Sequence, residues 1–115
     1  MSKRQRPLTV VRALILEIFG DFIPGNSVAD KRKEIKDATF TGKSDPGGWS
    51  PSARVVIHTE SGIPSPAYDS HPFAIIEAWS QLGDRLNEIL PHDPKAPYGL
   101  YCETINGAVI AVYPV

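Results

Sequence analysis

A single cysteine, little net charge and no long apolar run define what this sequence lacks. Cys102 alone cannot close an intramolecular disulfide or build a multi-cysteine zinc site, and its solitude suggests a reducing compartment, with the cytoplasm as the default. No stretch stays apolar for the roughly 20 residues that a membrane-spanning helix needs. Lys3, Arg4 and Arg6 precede the apolar run Leu8 to Phe19 as in a secretory leader. Arg12 and Glu17 interrupt that run and no small-residue cleavage site follows, so no leader is expected.

Formal net charge is −1 over 115 residues, which argues against a strongly DNA-binding protein. The charge is unevenly placed: residues 1 to 60 carry ten Lys/Arg against seven acids, and residues 61 to 115 carry two against six. Such polarity either solvates two surfaces or steers a partner. The length suits one domain over residues 8 to 115, behind a flexible basic N-terminus of residues 1 to 7.

The most legible stretch is 69 to 115. Ser70-His71-Pro72 offers an N-cap hydroxyl and a proline in the first turn, and Pro91 ends the segment. Between them Ile75, Ile76, Trp79, Leu82, Leu86, Ile89 and Leu90 recur at steps of three and four, which predicts an amphipathic helix over 70 to 90. Gly83 lies beside the apolar stripe and suggests close approach of a neighbouring backbone. The run 98 to 114 reads as a hairpin turning at Asn106-Gly107 in a type I′ turn. That turn would oppose Ile105 to Ala108, Glu103 to Ile110 and Tyr101 to Val112, leaving Cys102 on the drier face with Ala111.

Residues 8 to 23 have two readings. Val11, Leu14, Ile15, Ile18, Phe19 and Phe22 gather on one side of a helix; the same residues are also rich enough in β-branched types for a buried strand. The helix is favoured because the run alternates poorly. Ser27-Val28-Ala29-Asp30 resembles a capping box and predicts a short polar helix, followed by a strand within Ile35 to Phe40. Ala53 to Thr59 reads as an interior strand. Eleven prolines, concentrated around 46 to 51, 64 to 72 and 91 to 97, stiffen three connectors or simply end the elements beside them.

No reactive constellation is complete. His58-Thr59-Glu60 has the His-x-Glu spacing of zinc deaminases but lacks their cysteine pair. Gly42-Lys43-Ser44 lacks the upstream glycine of a phosphate-binding Walker loop. His71 and His92 sit at opposite ends of one helix and cannot share a metal, so neither metal nor cofactor is expected. Cys102, in mid-strand on an apolar face, reads as an inert thiol.

These features predict an α+β fold: a small antiparallel sheet with a C-terminal Asn-Gly hairpin and helices on one face, or, if residues 8 to 19 form a strand, a split-βαβ (ferredoxin-like) layout. The expected core comprises Leu14, Ile18, Val56, Ile76, Trp79, Leu82, Leu86, Leu100, Cys102 and Val109. Functionally they favour a small intracellular protein-binding module acting by surface complementarity, in the manner of an inhibitor, immunity protein or accessory protein of phage or mobile elements. Trp49, Tyr68, His58, Glu60 and Tyr98 are its candidate binding residues, and its partner is another protein. Nucleic acid and membrane are disfavoured, and a homodimer is an open alternative. The competing reading is a small enzyme with His58 and Glu60 as acid and base.

Overall fold

The computed structural model describes residues 7–59, 62–65, 73–89, 100–106 and 108–114. Helix α1 (Pro7–Phe19) runs into a 3-10 turn (Gly20–Phe22), and α2 (Val28–Ala38) leads directly to strand β1 (Thr39–Phe40). Strand β2 (Val55–His58), helix α3 (Phe73–Ile89) and strands β3 (Leu100–Asn106) and β4 (Val109–Pro114) follow. The four strands lie in the order β1-β2-β4-β3, with every pairing antiparallel. This is the expected α+β arrangement, and residues 8 to 19 take the helical reading. Among the described residues no helix is long and apolar enough to cross a membrane.

α1 begins on a proline whose missing N–H would lack a helical partner in any case, and its buried residues Val10, Val11, Leu14, Ile15 and Phe19 follow a helical stripe. α2 is capped as the sequence suggested: Ser27 Oγ accepts from the Asp30 amide at 3.2 Å. The Asp30 carboxylate reaches back to the Asn26 amide, also at 3.2 Å. The strand expected within Ile35 to Phe40 is mostly helix. Ile35 and Ala38 are one helical turn apart and both buried, so packing favours three more residues of helix before Thr39. There the Thr39 hydroxyl donates to the Ile35 carbonyl at 2.7 Å.

α1, α2 and α3 share one core with the inward face of the sheet, formed by Val55, Ile57, Ile110 and Val112. Phe19 and Trp79 pack with ring centroids 4.6 Å apart, and Ile63 is buried in the same cluster. Trp79 Nε1–H donates to the Pro64 carbonyl at 2.9 Å, which fixes the 62–65 segment to α3. At the surface Arg85 bridges α3 to α1 through both oxygens of Glu17, at 3.1 and 3.2 Å.

Three details of the C-terminal module differ from expectation. Ile76 is 47% exposed, because the buried stripe is the narrower set Ile75, Ala78, Trp79, Leu82 and Leu86; Ile76 lies one residue off it and shares the outer face with Phe73. A Cβ on Gly83 would meet nothing within 4 Å among the described residues. The hairpin register also shifts: Cys102 opposes Val112, Thr104 opposes Ile110 and Asn106 opposes Val109, with Ile105 as the extra residue of a bulge. Asn106 has no positive φ, which rules out the type I′ turn. Its side chain supplies the turn bond instead, Oδ1 accepting from the Ala108 amide at 2.8 Å. The bulge turns Cys102 toward the helix-covered core with Ile110 and Val112, not toward the face of Ala111.

Of the remaining expected core, Ile18 is partly buried against the helical cluster, while Val56 and Val109 are buried on the other side of the sheet. Nothing is described for the side chain of Leu100. The Ser70-His71-Pro72 cap and Gly107 lie outside the described residues.

Candidate functional site: the loop over the second sheet face

Between β1 and β2 the chain folds into a loop closed at its neck, where the Gly42 amide donates to the Ala53 carbonyl at 3.2 Å. The neck is tight. A Cβ on Gly42 would lie 2.4 Å from the Ala53 oxygen and 2.5 Å from the Ser50 oxygen, so glycine is required by close approach of backbone. Such compact surface loops with adjoining ends are Ω-loops, often functional. This one lies against the face opposite the helices, where Val56, Val109 and Ala111 form a second buried cluster with Ala53.

Asp45 organises the loop. Its side chain is fully buried and accepts from the amides of Gly47 and Trp49, both at 3.2 Å. Its Oδ1 also lies 2.7 Å from His58 Nε2 on β2. An ionised carboxylate only accepts, so the Nε2–H of His58 is the donor. Burial works against the charge on Asp45, but the His58 bond and the two backbone N–H groups outweigh it, holding the carboxyl below its ordinary value. His58 is further fixed by Phe40, whose ring meets it edge-on at 5.4 Å. A second staple joins Ser50 Oγ to the hydroxyl of Tyr113 on β4.

The loop thereby presents Trp49. Its backbone N–H is tied to Asp45, yet the residue is 51% exposed. The indole lies close over Gly47, where a Cβ would come within 2.6 Å of Nε1. Two of the five candidate binding residues, Trp49 and His58, thus converge on one carboxylate. Tyr68, Glu60 and Tyr98 lie outside the described residues. The residue that sequence reading missed is Asp45. Its signal was present in Asp45-Pro46-Gly47-Gly48, where an aspartate can bond amides two and four positions on, but nothing local marked His58 as its partner.

Chemically, a buried carboxylate holding one imidazole nitrogen is an orienting pair: it leaves Nδ1 as the imidazole's other site and fixes the ring. Cys102 lies on β3, two strands away from His58 in the sheet order. Burial pushes its thiol up to about 11, which keeps it protonated and a poor nucleophile at neutral pH. Compared with protein families, with curated proteins and with solved structures, the chain matches none of them.

Proposed function

We propose that the protein is a binding module that docks on another protein through the loop spanning residues 42 to 53, with Trp49 as its anchor. The observation that supports this reading is the pairing of a half-exposed indole with a backbone already fixed by Asp45. A tryptophan held in this way loses little entropy on binding and offers a large apolar surface, the usual makings of an interface hot spot. Inhibitors, immunity proteins and accessory factors of phage or mobile elements work by such surface complementarity, and the proposal places the chain among them, in the reducing cytoplasm that a lone cysteine favours. Using His58 and Glu60 as acid and base is the weaker alternative, because His58 has one nitrogen committed to Asp45 and serves the loop.

Tagged full-length protein, incubated with extract of its source cells and analysed by mass spectrometry, is expected to retain one stoichiometric protein partner. Trp49→Ala should weaken that complex by more than about tenfold, since a hot-spot aromatic contributes ~2 kcal/mol or more, with the thermal midpoint unchanged. Phe73→Ala, at a still more exposed aromatic on α3, serves as the control and should leave binding intact. Equal binding by Trp49→Ala would remove the loop from the interface.

A further inference from the structure

α2 sorts its charges by face. Asp30, Glu34 and Asp37, with Lys33, line a cavity of about 260 Å³ beside Pro24 and Gly25. Arg32 and Lys36 line a second cavity, of about 230 Å³, together with Ile35 and with Arg12 from α1. The sorting places like charges four residues apart at Asp30/Glu34 and at Arg32/Lys36, an arrangement that disfavours the helix. Interleaved signs would serve stability better, so the basic face calls for a compensating anion.

Arg12 is its fixed point. Nε donates to Thr39 Oγ1 at 2.8 Å and Nη2 to the Thr39 carbonyl at 3.0 Å. Thr39 is itself fully buried and bonded to the Ile35 carbonyl. These bonds pre-orient the guanidinium while leaving N–H groups of its fork for a ligand. Among the described residues no carboxylate lines the cavity. The ion pairs among the described residues, Arg85 with Glu17 and His58 with Asp45, involve none of the three cations.

We propose that this cavity binds the phosphate group of a small phosphate monoester. Three cations suit a dianion better than a single carboxylate, and an arginine fork matches phosphate oxygens bidentately. The volume holds a phosphate and a small organic group but is below that of a drug-sized pocket. The acidic face of the same helix repels a polyanion lying along it, which argues against a nucleic-acid backbone as the ligand.

Titration of the full chain at low salt, by calorimetry and by amide NMR, tests this with inorganic phosphate, glycerol phosphate and a single-stranded oligonucleotide as probes. Inorganic phosphate and glycerol phosphate are both expected to saturate one site, with shifts grouped at residues 12, 32 to 36 and 39, and glycerol phosphate should bind at least as tightly. The double variant Arg32→Gln/Lys36→Gln, on exposed positions that leave the fold intact, should weaken both by about tenfold or more. Lys33→Gln removes a single positive charge from the other face and should change affinity by less than about twofold. Absence of saturation, an equal loss in Lys33→Gln, or an oligonucleotide that binds through these residues more tightly than glycerol phosphate would each overturn the site. The outcome is independent of Trp49.

Discussion

On one side of the sheet Val55, Ile57, Ile110 and Val112 share a cluster with Phe19, Leu82 and Leu86. On the other, Val56, Val109 and Ala111 lie under a loop anchored by two side-chain bonds, Asp45 to His58 and Ser50 to Tyr113. The first closure is mainly apolar and non-directional, so most of its stabilisation does not depend on any one surface side chain. The second is directional, and each bond fixes a particular loop residue. Stability and presentation are therefore divided between the two faces of a single sheet. The division makes the loop open to change without loss of the fold.

The largest effect should come from the helical side. Phe19 is fully buried against Trp79, so Phe19→Ala is expected to cost about 3–5 kcal/mol, the transfer of the ring plus the cavity left behind. Denaturant unfolding measures this directly. The loss should be global, with amide exchange accelerating in α1, α3 and β4 together. A loss confined to α1 would mean that the helices do not share one cooperative core with the sheet.

Asp45→Asn tests the other face. The variant keeps the shape but loses the charge that gathers two amides and an imidazole, so a cost of about 1–3 kcal/mol is expected. The damage should be local: faster exchange at the Gly47 and Trp49 amides and altered indole fluorescence, with α1 exchange unchanged. The pH dependence has a definite sign. The folded-state carboxyl is held below the ordinary value of 3.8, so its contribution is fully present above that value. It is lost as pH falls from there through the lower folded-state value. In the wild type the loop should loosen across that acid window. In Asp45→Asn this component of the pH dependence should vanish, and its persistence would assign the acid response to other carboxylates.

The same comparison explains what could be read from the chain beforehand. α3 and the C-terminal hairpin are legible because burial on one face imposes a period on the sequence, as in Ile75, Ala78, Trp79, Leu82 and Leu86, whereas the β-branched run of α1 leaves helix and strand both open. Residue type singles out Trp49 and His58, but not their meeting through Asp45, because a bond between a loop residue and a strand residue 13 positions apart leaves no period. The hairpin register failed for a related reason. Asn106 is compatible both with positive φ and with a side-chain bond to the Ala108 amide. The choice between them depends on Ile105 bulging so that Cys102, and not Glu103, shares the helix-covered face with Ile110 and Val112, which is a tertiary constraint. Ile35 to Phe40 departs from expectation likewise, since β-forming residues at both ends, Ile35 and Thr39-Phe40, suggest a strand until the burial of Ile35 and Ala38 on one helical face is taken into account.

Gly83 gives the smallest expected effect and the sharpest test of the division. It lies within α3, yet a Cβ there would meet nothing within 4 Å among the described residues. Its position beside the buried stripe suggests a packing role, and none of the described residues crowds the place its Cβ would take. Because it lies inside a helix, Gly83→Ala should stabilise the protein by about 0.5–1 kcal/mol, the ordinary difference in helix propensity together with a less flexible unfolded chain. The gain should appear as a raised unfolding midpoint with an unchanged denaturant slope, and partner capture through Trp49 should not alter. If Gly83→Ala weakened capture at a raised midpoint, the α3 surface and not the loop would be the interface, and stability and presentation would no longer be divided between the two faces.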